Sequence, residues 1–546
     1  MIQEDEQINI LTYEYTYNGG GVAAADFNND GLCDLYFVGN AVDNKLYLNK
    51  GGLRFRDATD SSKSAGRKLW KTGVAVVDIN NDGWLDLYLS YSGPVADSLR
   101  ANQLLINLGC KDGGIPAFED QAKKYGIDAP GTFTTQVAFF DYDKDGDLDV
   151  FMINHGDHFY SPFYNTKKLR YTRHAQFGNR LYRNNSVSNS TEIVPFSDVS
   201  EQSGIHGGGL NFSLGVSISD VNNDGWPDIY VSNDYEEQDF LYLNQKDGTF
   251  KDITKQSLLH LSRNGMGTDI ADYNNDGKQD IVTLDMWPED NFRQKLLRGP
   301  DDYARYKLMV DSGYHFQQMR NTLQLNTGKT VDGRPLFSEI GQLAGISSTD
   351  WSWAPLFVDL DNDGWKDLFI TNGYLRDFTS MDFLKYTVEE EKRKAQSNGI
   401  ELNLYELVSK MSSTKVHDYV YRNKGDLTFA NATQEWGIDQ PNLSFGLTYA
   451  DLDKDVDLEV ITNNTNEEAT IWVNQSRDQQ KNNFVRLALK GDASNTVAIG
   501  AQVAVFAGKS RQMQEFNLSR GYQSSVEPVL HFGLGKASKI DSIVVT

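Results

Sequence analysis

A nine-residue pattern, Asp-x-Asn/Asp-x-Asp-Gly-x-x-Asp, starts at Asp26, Asp78, Asp141, Asp220, Asp272 and Asp359, and an imperfect seventh copy occupies 451–459. The starts lie 52, 63, 79, 52, 87 and 92 residues apart, which describes a unit of about fifty residues carrying insertions of different length. Such a period restricts the chain to repeat architectures, and a unit of about fifty residues suits a four-stranded blade. Short runs of β-formers flank each copy, as in Gly21-Val-Ala-Ala-Ala before Asp26 and Leu-Tyr-Phe-Val after Asp34, so both flanks read as strands. Runs of the Leu-Tyr-Leu-Asn type, ending at Asn49, Asn107, Asn184, Asn244, Asn326, Asn423 and Asn474, supply a third strand and a turn. Phe-x-Asp at Phe55, Phe118, Phe196 and Phe250 supplies a fourth.

Seven such units favour a ring over an open array, because a ring exposes fewer strand edges. The expected fold is all-β: a seven-bladed β-propeller over residues 1–478, followed by a small β domain over 482–546. The seventh unit has no Phe-x-Asp run, and the N-terminal stretch 8–17 is one source for its fourth strand. Insertions at 155–178, 286–320 and 376–417 break the rhythm, the last with helical periodicity. In repeat proteins such insertions tend to gather on one face, often the binding face.

Calcium takes about six to eight oxygens at roughly 2.3–2.6 Å, and carboxylates at alternate positions of a tight loop point inward together. Positions one, three, five, seven (through its carbonyl) and nine are the candidate ligands. In the first three loops these are Asp26, Asn28, Asp30, Leu32 and Asp34; Asp78, Asn80, Asp82, Trp84 and Asp86; and Asp141, Asp143, Asp145, Asp147 and Asp149. In the fourth and fifth they are Asp220, Asn222, Asp224, Trp226 and Asp228, then Asp272, Asn274, Asp276, Lys278 and Asp280. The sixth offers Asp359, Asp361, Asp363, Trp365 and Asp367, and the seventh Asp451, Asp453, Asp455, Asp457 and Glu459. Glycine at position six permits the left-handed backbone that turns the loop. Val456 stands there in the seventh loop and must take a strained backbone or distort the turn, which makes that site the weakest. An EF-hand is excluded, since Phe37, Leu89 and Met152 hold its closing-Glu position in the first three copies and the flanks are strands.

One cluster of Asp, Asn and Gly is an ordinary turn; seven with a shared ligand spacing are not. The side-chain positions of the loops hold 24 carboxylates against a formal net charge of −24. Five to seven calcium ions are therefore expected as folding partners, binding the native chain in preference to the unfolded one. The same charge repels phosphate backbones and anionic lipid, so nucleic acid is not an expected partner. Apolar stretches such as 74–77 and 137–140 fall far short of the ~20 residues of a membrane span. Cys33 and Cys110 have no zinc or CxxC spacing, leaving two buried thiols or a single disulfide as the alternatives. Residues 1–8 are acidic and polar, unlike a signal peptide, so the chain either lacks an export signal or has lost it.

The cassette Gly-Val-Ala-x-x-Asp-Phe-Asn-Asn-Asp-Gly-x-x-Asp-Leu at 21–35 resembles the FG-GAP (VCBS-type) repeat of integrin α-subunit propellers and of many secreted bacterial proteins, over about residues 20–475. The tail resembles the ASPIC/UnbV domain through Gly491, the run 498–501, Arg520, Tyr522, Ser524, Ser525 and the run 531–535. Together they look like the cartilage acidic protein family and its bacterial relatives. That resemblance implies calcium in the Asp loops, a secreted, periplasmic or cell-surface setting, and a tail domain truncated inside its last strand. It supplies neither a reaction nor a ligand.

No Gly-x-Ser-x-Gly elbow, His-Glu-x-x-His helix, P-loop or CxxC occurs. The remaining cluster is His155, His158, Tyr160, Tyr164, Tyr171 and His174 in the first insertion, which fits metal or sugar binding or, more simply, aromatics packing on the blade beneath. Asn154, Asn233, Asp285, Asn372 and Asn464, each thirteen residues after a loop start, read as strand-end caps rather than a ring of ligands. The expected function is a non-enzymatic calcium-binding and adhesion module for a protein or glycan partner. The competing expectation is a carbohydrate-active enzyme such as a calcium-assisted polysaccharide lyase, which requires Arg or Lys with Tyr or His in a cleft between insertions beside an exposed calcium.

Overall fold

The computed structural model describes residues 2–158, 160, 166–186, 193–297, 303–492 and 494–546. Each Asp loop joins the first two strands of its own antiparallel sheet. The first strands are Val22–Ala25, Lys71–Val77, Thr134–Phe140, Ser213–Ser219, Thr268–Ala271, Ser352–Val358 and Ser444–Ala450. They are buried almost throughout, which accounts for their runs of small and apolar residues without polar alternation. Each lies against the next, and Ser444–Ala450 lies against Val22–Ala25, so the seven stand in cyclic order.

Five of these sheets carry four strands in chain order, the first carries its own four and two more from the tail, and the seventh carries three. The Phe-x-Asp runs form the outer strands Phe55–Asp57, Phe118–Asp120 and Phe250–Asp252, while at Phe196 the strand is Ser197–Asp198. Arg334–Glu339 and Phe429–Asn431 fill the same place in the fifth and sixth sheets. In the third sheet Asn184 donates to Leu148 O of its own loop at 3.1 Å, but each of the other six sheets is linked to the preceding one by the Asn at the end of its third strand. Its Nδ2 donates to the carbonyl of position two in the preceding loop: Asn107 to Phe27 at 2.9 Å, Asn244 to Tyr142 at 2.8 Å, Asn326 to Val221 at 2.9 Å, Asn423 to Tyr273 at 2.8 Å and Asn474 to Leu360 at 2.7 Å. Asn49 makes the same bond to Leu452 at 2.7 Å, joining the first sheet to the seventh.

The N-terminal stretch does not supply a fourth strand to the seventh sheet. Residues 8–17 are turns, and Tyr13, Tyr15 and Tyr17 are buried in one apolar cluster with Trp70, Phe212 and Trp353. Aromatic burial at the axis outweighs the pairing that strand propensity alone suggests. The insertions carry short helices, Lys167–Tyr171, Asn291–Leu297, Tyr303–Asp311, Val388–Asn398 and Leu404–Ser409.

From Asn483 the tail forms two small sheets, Asn483–Leu487 with Leu530–Gly535, and Gln502–Ala507 with Ser510–Glu515 and Ser542–Val545. Its strands Ser519–Arg520 and Ser524–Ser525 reach the first strands of the sheets, where Ser525 pairs in parallel with Ala23. There Val74 N donates to Gln523 O at 2.9 Å, Gln523 N to Gln136 Oε1 at 3.1 Å, and the Thr448 hydroxyl to Ser525 O at 2.8 Å. Arg520 binds Asp269 at 2.6 Å and donates to Phe357 O at 3.0 Å, and Asn517 donates to Ile218 O at 2.9 Å. With Ser525 on Ala23, the tail thus touches all seven sheets. Val503, Val505, Phe516, Leu530 and Phe532 of the tail join the core of the first sheets.

Candidate metal centres

The seven Asp loops share one backbone shape. Position four is left-handed in every loop, from φ 51° at Asn29 to φ 63° at Lys454, and position six follows it, from φ 79° at Gly277 to φ 98° at Gly146. Val456 takes φ 82° at position six, so the seventh loop keeps the turn by placing a β-branched residue where glycine belongs.

The first carboxylate is held by the position-six amide, with Gly31 N 2.7 Å from Asp26 Oδ2 and Gly364 N 2.8 Å from Asp359 Oδ2. The equivalent bond from Val456 to Asp451 stretches to 3.3 Å. Position five turns one oxygen back onto the position-seven amide throughout, for Asp30, Asp82, Asp145, Asp224, Asp276, Asp363 and Asp455, at 2.8–3.2 Å. Position nine is buried and ties the loop to its sheet: Asp149 accepts from Tyr142 N at 3.1 Å and Asn184 N at 2.8 Å, and Asp34, Asp86, Asp228 and Asp367 make the same pair of bonds.

Positions one, three and nine converge. Asp141, Asp143 and Asp149 bring carboxylate oxygens within 4.8 Å of one another, as do Asp359, Asp361 and Asp367, and Asp451, Asp453 and Glu459. In the other four loops position three is Asn28, Asn80, Asn222 or Asn274, whose Nδ2 lies on the position-five carboxylate at 2.8–3.4 Å. At position seven the side chains lead elsewhere: Trp84 packs against Gly109, Trp365 against Gly425, and Trp226 lies under Lys144.

Crowding buried carboxylates raises the cost of their charge. Burial, reinforced by neighbouring acids, pushes Asp149 up to about 9, and Asp34 and Glu459 to about 8. Burial likewise pushes Asp141 to about 6. In the third loop Asp141 Oδ1, Asp143 Oδ1 and Asp147 Oδ1 are buried with no hydrogen-bond donor. An all-oxygen donor set of this kind with orphaned carboxylate oxygens fits a hard divalent cation. The seventh loop fits it least well, because Arg486 already sits 2.6 Å from Asp451 Oδ2.

Sequence reading missed two relations among the loops. Asn at position four bridges forward: Asn29 donates to Gly83 O at 3.1 Å, Asn223 to Gly277 O at 3.1 Å and Asn275 to Gly364 O at 2.8 Å. The recurrence of Asn there was the available signal. The tail also reaches the loops, through Thr496 on Asp78 Oδ2 at 2.5 Å, Gln502 on Asp220 Oδ2 at 3.3 Å and His531 Nε2 on Asn362 Oδ1 at 2.5 Å.

Among the described residues the first-insertion cluster falls into separate contacts, one of them His158 edge-on to Tyr160 with ring centroids 4.6 Å apart. His155 is buried between Ser92 and Tyr13, whereas His174 stacks on Phe177 and Tyr171 is exposed; Tyr164 lies outside the described residues. The strand-end residues are caps: Asn154 donates to Gly178 O at 2.8 Å, Asn233 to Gln238 O at 2.9 Å, Asn372 to His417 O at 3.0 Å and Asn464 to Glu468 O at 2.7 Å, while Asp285 accepts from Ser262 at 2.6 Å. Cys33 and Cys110 are both free thiols, the first buried and the second half-buried. A cavity of 430 Å³ beside the second insertion is lined by Tyr235, Arg263, Tyr303, Tyr306 and His315. No Asp-loop residue lines it, and His315 Nε2 is spent on Leu258 O at 2.9 Å. No described helix is long and apolar enough to cross a membrane.

Residues 9–89 and 220–283 match the FG-GAP-like repeat, and residues 491–546 match the ASPIC and UnbV family. Cartilage acidic protein 1 of Xenopus tropicalis is 23% identical, over 96% of this chain and 70% of its own length. Its Homo sapiens counterpart is 22% identical, over 87% and 68%. Among solved structures, the V. cholerae biofilm matrix protein Bap1 covers 97% of this chain and 69% of its own, at 12% identity and a TM-score of 0.28. Trypanosoma rangeli sialidase in complex with sialic acid covers 97% and 83%, at 9% identity and a TM-score of 0.31. Structural likeness at that level decides nothing.

Proposed function

We propose that this chain, which carries FG-GAP-like repeats and a C-terminal ASPIC and UnbV domain, is a seven-bladed β-propeller that loads calcium in its Asp loops and works outside the cytoplasm as a binding or adhesion module for a protein or glycan partner. The cyclic order of the first strands and the Asn49 bond to Leu452 support the closed ring. The tail from about residue 482 is then a domain seated against the loop face of the ring.

The observation that carries the calcium reading is the third loop, where carboxylate oxygens of Asp141, Asp143 and Asp149 converge within 4.8 Å and both Asp141 and Asp143 hold a buried oxygen with no donor. A bound cation would supply what those oxygens lack, with ligands from positions one, three, five and nine and the carbonyl of seven. Loop sites with ligands shared between side chains and backbone suit the weak calcium affinities of extracellular modules, roughly 10⁻⁴–10⁻³ M. The insertions, with the cavity around Arg263, Tyr303 and Tyr306, are the surface offered to the partner. That cavity has the Arg and Tyr of a lyase but no Asp loop on its wall, so a calcium-assisted reaction would lack its metal there.

A thermal melt in excess calcium and then in EDTA, with calcium per chain counted by elemental analysis, tests the reading. Five to seven ions and a large fall in Tm on chelation are expected, with the seventh site the first to empty. An unchanged melt with no bound ion would reduce the Asp loops to turns.

A further inference from the structure

In each Asp loop the position-six carbonyl and the position-seven amide are the two ends of one peptide group. The amide end is held from within, by the position-five carboxylate: Lys278 N donates to Asp276 Oδ1 at 2.9 Å in the fifth loop, and Trp365 N to Asp363 Oδ1 at 2.8 Å in the sixth. The carbonyl end is held from the loop before. Asn223 Nδ2 of the fourth loop donates to Gly277 O at 3.1 Å, and Asn275 Nδ2 of the fifth donates to Gly364 O at 2.8 Å. Gly277 N and Gly364 N are fixed as well, on Asp272 Oδ2 at 2.9 Å and Asp359 Oδ2 at 2.8 Å. One glycine in each of these loops therefore ties the carboxylates of positions one and five to a side chain of the neighbouring loop.

The donors are equally constrained. Asn223 stands between the candidate ligands Asn222 and Asp224, and Asn275 between Asn274 and Asp276, in left-handed backbone at φ 56° and 57°. Whatever fixes positions three and five of one loop also places the amide that reaches the next. The path is continuous: Asn223 to the Gly277 peptide, that peptide to Asp276, Asp276 along the chain to Asn275, and Asn275 to the Gly364 peptide and Asp363. Hydrogen bonds at both ends of a peptide group polarise one another, so strengthening one strengthens its opposite. The carboxylates along this path suit a cation, since Asp280 Oδ2 of the fifth loop is buried without a donor and Asp359, Asp361 and Asp367 of the sixth bring oxygens within 4.8 Å of one another. The third loop breaks the series. Its position four is Lys144, which lies over the Trp226 ring at 5.4 Å and brings a positive charge to the fourth loop where Asn223 and Asn275 bring an amide.

We infer that Asn223 and Asn275 are positioning residues that couple the fourth, fifth and sixth loops, so that loading one with calcium raises the calcium affinity of its neighbours. The inference rests on the calcium reading of the Asp loops and adds a linkage among them. Such coupling is reciprocal: emptying the sixth loop weakens the fifth by the same factor as emptying the fifth weakens the sixth.

The test is amide exchange read by mass spectrometry on the full chain across a calcium titration, with a separate midpoint for peptides covering 220–228, 272–280 and 359–367. Asp359→Asn removes a charged ligand from the sixth loop and keeps an acceptor for Gly364 N; it should move the fifth-loop midpoint to at least about fivefold higher calcium. Adding Asn275→Gly, which keeps the left-handed turn and removes the bridge, should abolish that response. Asp220→Asn read at the fifth loop, with and without Asn223→Gly, repeats the cycle on the other joint and serves if a sixth-loop variant does not fold. A general loss of stability moves every loop alike and leaves the response to Asp359→Asn in place, which separates it from coupling. A fifth-loop midpoint indifferent to Asp359→Asn, or a shift that survives Asn275→Gly, would overturn the inference and leave calcium binding standing. Exchange that ignores calcium in every loop would overturn both.

Discussion

Val456 holds φ 82° in the place that glycine fills in the other six Asp loops. A β-branched side chain there costs of order 1–3 kcal/mol. Val456→Gly should raise stability in calcium by about 1 kcal/mol, after the greater chain entropy of glycine is subtracted, and a denaturant titration reads it. His155 is a second isolated case. Its Nδ1–H donates to Gly156 O at 2.6 Å, so Nε2 accepts from the Ser92 hydroxyl at 2.6 Å, and burial holds the imidazole down at about 3. The unfolded value is about 6.5. A folded pKa below the unfolded one contributes stability that is fully present above pH ~6.5 and is lost as pH falls toward 3. His155→Gln should therefore lose stability at neutral pH yet show a shallower decline between pH 6.5 and 3 in a pH series of chemical melts. The strain at Val456 was readable in the sequence because one residue broke a spacing shared by six glycines. The role of His155 was not, since nothing local distinguishes a histidine packed beneath Tyr13 and Tyr15 from one that faces solvent.

At the level of elements, the Asp loops, the strands on both sides of them and the outer Phe-x-Asp runs were legible, because each is fixed by short-range chemistry: turn residues, alternation and a recurring aromatic. The terminal Asn of the Leu-Tyr-Leu-Asn runs was read only as the end of a strand. Its partner lies in another repeat, 80 residues away for Asn107 and 403 for Asn49, and no local pattern encodes that pairing. The stretch 8–17 was misjudged for a related reason, since the aromatics that fix it come from distant sheets. Asn49 lets the seam of the ring be compared with its interior. Asn49→Ala leaves the carbonyls of Cys33 and Leu452 without their donor, and Asn107→Ala does the same to Leu85 and Phe27. Each change should cost about 2 kcal/mol, read from denaturant midpoints, provided the seam is as tight as the interior joints. A much smaller loss at Asn49 would mean a ring open between its first and seventh sheets.

Across the whole molecule, the carboxylates of the loops make stability depend jointly on pH and calcium. With Asp34 and Glu459 pushed up to about 8 and Asp149 to about 9, the metal-free native state holds protons that the unfolded chain releases near pH ~4. Raised folded pKa values give stability that is present below that pH and lost as pH climbs toward 8 or 9. In EDTA the Tm should fall steadily from pH 5 to pH 8, and in excess calcium the fall should vanish or reverse, because a bound cation replaces the proton. Scanning calorimetry across that range in both buffers separates the two.

The Tyr522 hydroxyl donates to Asn18 O at 3.1 Å inside the ring, across a sequence separation of 504 residues. The first and last parts of the chain thus share one bond at the axis, and contacts of such span are formed late and slowly. A nascent polypeptide still short of Tyr522 keeps its aromatic lining wet and its inner strands unbraced, however complete its repeats are. Closure of that aromatic lining therefore waits on the synthesis of Tyr522, and a product terminated before it leaves the lining exposed.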